Sequence, residues 1–155
     1  PVNQQLELVN IINETKAVFK NSYDMNLLFF EHGNISKKTS TNSIDHIHIH
    51  LLPFKHSFWG EMNKMYNFDF YKIDSIECIN YMIEKNNIAS YILFGDTDDK
   101  IYLIDTTNKD YPSQFLRIVL SEYLKMDKSW NWKNHYFVDK MYETYADLCS
   151  SFLGA

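Results

Sequence analysis

The stretch Asp45-His46-Ile47-His48-Ile49-His50-Leu51-Leu52-Pro53 is the clearest pattern in the chain, because polar and apolar side chains alternate along it. Successive side chains of a β-strand point to opposite faces of the sheet. The spacing therefore predicts a strand over residues 44–52 with three histidines on one face and apolar side chains on the other. We expect Pro53 to end this strand.

Three imidazoles on one face admit three interpretations. They can be chance residues of a solvent-facing edge strand. They can bind a metal such as zinc, although no HExxH-type carboxylate motif accompanies them. They can also act as nucleophile and proton donor, because a neutral imidazole is a good nucleophile near pH 7. From the residues alone all three interpretations stay open.

The remaining pattern predicts an α+β fold of helices around local antiparallel pairing. Apolar spacing predicts a first helix over 4–21 and a last helix over about 138–152, whose apolar stripe we expect to pack on the core. Between them we expect the following elements: a short strand 27–31, a polar loop 32–43, a tail around Trp59, a strand 67–73, a helix 74–86 opened by a capping box, a hairpin of 90–94 with 101–104, and a helix from Pro112 to Leu124.

Composition excludes several classes of protein. The 155 residues are 45% hydrophobic and carry a formal net charge of −5 without a basic stripe, so a sequence-independent nucleic-acid binder is not expected. The two cysteines form no disulfide or zinc-ligand pattern. No apolar run is long enough to span a membrane and no signal peptide is visible. We therefore expect a cytoplasmic protein that binds neither nucleic acid nor membrane.

The segment HIHIHLLP (residues 46–53) resembles the signature of the histidine-triad (HIT) superfamily. Three further segments are similar to the longer HIT-like proteins described as diadenosine tetraphosphate hydrolases: Phe29-Phe30-Glu31-His32-Gly33 with Ser43-Ile44-Asp45, Pro112-Ser113-Gln114-Phe115-Leu116-Arg117, and Trp130-Asn131-Trp132. The resemblance implies a single domain over 1–155 with a HIT-like antiparallel sheet and flanking helices. Residues 1–58 would hold the triad strand, and 59–155 would be a C-terminal helical and hairpin extension packed on it.

The resemblance also implies residue roles. His48 would attack phosphorus, the backbone carbonyl of His46 would fix its tautomer, and His50 would donate to a phosphate oxygen. Ser43, Asn42 and the loop that begins at Gly33 would bind phosphate.

Gln114, Arg117 and Ser121 are spaced to share one face of a helix. Because arginine recognises phosphate with a bidentate fork, Gln114 and Arg117 are further candidates for phosphate binding. A solvated helix face is the alternative.

The expected activity is that of a nucleotide hydrolase or nucleotidyltransferase. It would cleave a dinucleoside polyphosphate or a related nucleoside phosphate ester through a nucleotidyl-histidine intermediate, without a cofactor or metal. The alternatives are a non-catalytic nucleotide-binding or scaffold protein with a degenerate HIT fold and a histidine-ligated metal-dependent hydrolase, and a homodimer is left open. Full-length HIT proteins have early strands and much of the purine pocket before the first helix, so we expect a chain without that N-terminal part.

Overall fold

A computed structural model describes residues 2–35, 48–112, 114–126 and 138–153. The chain forms two compact units, Pro1–Ser113 and Gln114–Ala155. The first unit contains α1 (Val2–Tyr23), β1 (Asn26–Asn34), β2 (His50–Phe54), α2 (Trp59–Tyr66), β3 (Phe70–Ile73), a 3₁₀ turn (Ile76–Cys78), α3 (Ile79–Asn86), β4 (Ser90–Gly95) and β5 (Ile101–Asp105). The second unit contains α4 (Phe115–Tyr123) and α5 (Val138–Leu153).

The five strands form one sheet in the order β2-β1-β4-β5-β3. Every neighbouring pair is antiparallel, which confirms the predicted α+β class. Strand β1 pairs with both β2 and β4, so strands from both sides of the boundary predicted at residue 58 belong to one sheet. The expected hairpin is present, with Gly95 opposite Ile101.

The two faces of the sheet bury different apolar clusters. On one face Phe29, Leu93 and Leu103 pack with Ile12 of α1 and with the 3₁₀ turn and α3. On the other face α2 supplies Trp59, whose ring stacks on Tyr102 with centroids 3.8 Å apart. Because both faces of the sheet are covered, successive side chains of β4 and of the middle of β5 are apolar.

Several predicted boundaries are wrong. Strand β1 continues to Asn34, whereas the sequence pattern placed a loop from residue 32. Pro53 does not end β2, since it pairs with Leu27. Strand β2 is at the edge of the sheet, where a proline without an N–H is tolerated. Of the strand predicted over residues 44–52, residues 50–52 are in β2, residues 48 and 49 are not in a strand, and residues 44–47 lie outside the described ranges.

The helices show similar differences. The segment around Trp59, expected to be a tail, is α2. The capping box expected at Asp74 is replaced by Ser75 as N-cap of the 3₁₀ turn that precedes α3. Helix α4 begins at Phe115 rather than at Pro112. The last helix is confirmed as α5 (Val138–Leu153).

Two glycines in the sheet are covered by aromatic rings of the paired strand. Gly33 pairs with Tyr91 and Gly95 pairs with Phe29. A Cβ atom at Gly33 would lie 2.2 Å from the Tyr91 ring, and one at Gly95 would lie 2.0 Å from the Phe29 ring. Glycine is therefore required at both positions for the ring to cross the neighbouring strand.

We expect Gly95→Ala to lower the free energy of unfolding by about 1–3 kcal/mol, because the new methyl group displaces the buried Phe29 ring. Denaturant titration measures this change. The matched control is Gly60→Ala in α2, where nothing lies within 4 Å of the added Cβ, and we expect between no change and a gain of about 1 kcal/mol. An equal effect of both variants would contradict the steric account.

The carboxylate of Asp96 joins the end of β4 to the start of α2. Its side chain is 1% exposed. It accepts hydrogen bonds from the Ser57 hydroxyl at 2.6 Å and from the backbone N–H groups of Phe58 at 3.0 Å, Trp59 at 2.9 Å and Thr97 at 2.8 Å. Helix starts leave backbone N–H groups without intrahelical partners, so this distant carboxylate supplies the cap that α2 lacks locally.

We expect Asp96→Ala to destabilise the fold by about 3 kcal/mol, since it leaves several buried donors without an acceptor. Thermal or denaturant unfolding measures the loss. Asp69→Ala, which removes a carboxylate that is 80% exposed, is the control and should change stability by no more than about 0.5 kcal/mol. A loss for Asp96→Ala as small as that of the control would refute the capping role.

Candidate functional site

The structure brings His48 and His50 together at the edge of the sheet. His50 lies in β2 opposite Phe30, and its ring stacks on the Phe30 ring with centroids 4.7 Å apart. The His48 ring is edge-on to His50 at 5.2 Å and 76°. Both histidines are half-buried. The two rings are therefore in contact, although only His50 lies in a strand.

His46, the first histidine of the motif, lies outside the described residues. The same is true of Ser43 and Asn42 and of the rest of the predicted phosphate loop from 36 onward. Their predicted roles stay predictions. Gly33 is described, but it lies within β1 under the Tyr91 ring rather than in a loop.

His32 is a further histidine of β1, to which the sequence pattern assigns no role. It lies two residues after Phe30 in β1, and the charge of His48 acts on its imidazole. Strand β2 begins at His50, so the pairing of β1 with β2 ends at Phe30 and His50. The signal available in the sequence was the two-residue spacing of Phe30 and His32, which matches that of His48 and His50.

Desolvation lowers the pKa of His32 below its ordinary value, and the charge of His48 lowers this pKa further. The side chain still has an exposed surface, so the partial desolvation comes from its neighbours in the sheet and not from full burial. His32 is consequently neutral at pH 7.

Glu31 and Tyr91 form a separate pair on the opposite face of the sheet. The Tyr91 hydroxyl donates to a Glu31 carboxylate oxygen at 3.4 Å, and both residues are buried. Burial raises the pKa of Glu31 and of Tyr91. Because side chains of Glu31 and His32 point to opposite faces, this carboxyl group is separated from the histidines by the sheet.

The candidate residues of the second unit interact with one another. Gln114 is not helical but precedes α4 with φ of 64°, and an Arg117 guanidinium nitrogen donates to its side-chain oxygen at 3.4 Å. Ser121 is buried and donates to the backbone carbonyl of Met126. The phosphate-binding role of Gln114 and Arg117 stays a prediction.

A cavity of about 350 Å³ lies on the α1 face, away from the histidine rings. Its wall includes Phe29, Glu77 and the ion pair of Lys16 with Asp99, in which Nζ and Oδ1 are 2.6 Å apart. Within the ranges that the structure describes, no three His, Cys, Asp or Glu side chains are arranged to hold a metal ion. No helix in those ranges is long and apolar enough to cross a membrane.

Comparison of the chain with family models, with curated proteins and with solved structures found no match.

The lowered pKa of His32 predicts a pH dependence of stability. A histidine whose pKa is lower in the folded protein than in the unfolded chain stabilises the fold at pH values above the unfolded pKa of 6.5. This contribution is lost as the pH falls through the lower pKa of the folded protein. We expect the free energy of unfolding to fall between pH 7.5 and 5.5 more steeply in the wild type than in His32→Asn. Denaturant titrations at each pH test this, and parallel curves would contradict it.

Proposed function

We propose that this chain is a HIT-like enzyme that cleaves a nucleoside phosphate ester at phosphorus, with His48 as the nucleophile. The observation that carries the proposal is the contact between the His48 and His50 rings on one face of the sheet. Attack on phosphorus needs one unprotonated imidazole nitrogen, and departure of the leaving group needs a nearby N–H donor. Two imidazoles in edge-to-face contact can supply both.

Phe30 supports the assignment of separate roles to the two rings. Its stacking on His50 restricts the orientation of that imidazole, and a fixed donor is more effective than a mobile one. We assign His50 as the donor to the phosphate oxygen. The resemblance assigns to the backbone carbonyl of His46 the role of the acceptor that holds the His48 tautomer.

The proposed reaction has two steps. In the first, a His48 ring nitrogen forms a bond to phosphorus while the bond from phosphorus to the leaving oxygen breaks, and that oxygen takes a proton from the N–H of His50. In the second, the oxygen of water forms a bond to phosphorus while the bond from phosphorus to the His48 nitrogen breaks. The proton lost by water returns to His50, and the nucleoside phosphate is released. Covalent catalysis of this kind divides one difficult step into two easier ones.

The substrate class is a dinucleoside polyphosphate or a related nucleoside phosphate ester. Ser43 and Asn42 are proposed phosphate contacts. The proposed setting is the cytoplasm.

We expect His48→Ala to lower turnover of diadenosine tetraphosphate or an aryl ester of a nucleoside monophosphate by at least about 100-fold. Steady-state release of nucleotide measures this. His56→Ala removes an exposed histidine between β2 and α2 and should leave turnover unchanged. Circular dichroism should show that both variants are folded.

Turnover by His48→Ala at the wild-type rate would refute the mechanism. If the wild-type chain binds these nucleotides but turns none of them over, the activity is refuted in favour of a non-catalytic nucleotide-binding protein.

A further inference from the structure

We propose that the cavity on the α1 face binds a small organic cation, an amine with an apolar aromatic or alkyl body. The cavity has a volume of about 350 Å³, and small-molecule sites in proteins are clefts of about 300–1,000 Å³. Phe29 lines this cavity, whereas Phe30, on the opposite face of β1, stacks on His50. The cavity is therefore a second site, separated by the sheet from the histidine rings.

The floor of the cavity is apolar and belongs to the core of the first unit. Ile12 of α1, Phe29 of β1 and Ile76 of the 3₁₀ turn are each no more than 4% exposed. These side chains come from three elements that pack against one another, so the floor is formed before a ligand binds. An apolar floor of this kind binds the hydrocarbon part of a ligand by removing its surface from water.

The charged groups of the lining favour a cation over an anion. Asp74, Glu77 and Asp99 contribute three negative charges and Lys16 contributes one positive charge, which leaves a formal net charge of −2. The Ser75 hydroxyl donates to the Glu77 carboxylate and lowers its pKa, so Glu77 is ionised at neutral pH. A ligand ammonium group within a few ångströms of these carboxylates is attracted to them, and a ligand carboxylate is repelled.

The Lys16 ammonium group shows how a cation is held in this lining. Its Nζ lies 5.8 Å from the centroid of the Phe29 ring and 2.6 Å from Asp99 Oδ1. A cation within about 6 Å of an aromatic ring face is attracted by the electrons of the ring. The Asp99 side chain is 81% exposed, and exposed ion pairs contribute little to stability. A ligand ammonium group can therefore displace Lys16 from Asp99 and from the Phe29 ring.

The test is isothermal titration calorimetry of the full chain with two indole compounds of similar size and opposite charge, tryptamine and indole-3-propionate. We expect tryptamine to bind at one site per chain with a Kd on the order of 0.1–1 mM, as is usual for so small a ligand. Added salt should weaken this binding. Indole-3-propionate should bind at least about tenfold more weakly. No binding of tryptamine, or binding of the anion as tight as that of the amine, would overturn the proposal.

Charge variants locate the bound amine. Asp74→Asn combined with Glu77→Gln removes two carboxylates of the cavity and should weaken tryptamine binding by about tenfold. The matched control is Glu61→Gln combined with Asp69→Asn, which removes the same charge from exposed residues outside the cavity. It should keep the Kd within about twofold. An equal loss in both double variants would show nonspecific attraction and would refute the site.

Lys16→Met separates a cation site from an anion site by the sign of its effect. This variant removes the competing ammonium group and keeps an unbranched apolar side chain, so we expect tryptamine to bind about three- to tenfold more tightly. Thermal unfolding should show that the variant is folded. Unchanged or weaker binding of tryptamine by the folded variant would contradict the proposal.

The cavity can be tested independently of the proposed function. His48→Ala should bind tryptamine with the wild-type Kd, because the His48 ring contacts His50 on the other side of the sheet. Weaker binding in this variant would place the amine at the histidines and would overturn the cavity proposal. Absence of nucleotide turnover in the wild type would refute the proposed function alone.

Discussion

The pairing of β1 with a strand on each side is the constraint on which the rest of the structure depends. Its register with β4 sets Tyr91 over Gly33 and Phe29 over Gly95. Its register with β2 sets His50 against Phe30. Because side chains alternate along a strand, the same two registers direct Phe29 toward the α1 cluster and the histidines toward the opposite face. A shift of one residue would exchange the two faces.

Local patterns were sufficient to predict the long helices, the β4–β5 hairpin and the α+β class. They failed where structure depends on residues distant in sequence. Helix α2 has eight residues and is capped by Asp96, about 40 positions away, so no local cap signalled it. Pro53 lies inside a strand because β2 is at the sheet edge.

Local spacing predicted part of the candidate site as well. Two-residue spacing alone places His48 and His50 on one face, and their ring contact agrees with it. The partial desolvation of His32 was not predictable, because it depends on the pairing of β1 within the sheet. Spacing also cannot distinguish phosphorus chemistry from nucleotide binding or metal binding. That choice rests on a resemblance to HIT proteins, which no family match accompanies.

The central claim is that a His48 nitrogen becomes bonded to phosphorus during turnover. It is tested most directly by rapid quench of the chain with a nucleoside phosphate ester under alkaline conditions, which preserve the acid-labile bond from phosphorus to nitrogen. Peptide mass spectrometry then locates the adduct. The account predicts one nucleotidyl group on the peptide that contains His48, and none in His48→Ala. Substrate turnover without an adduct, or an adduct on another residue, would contradict it.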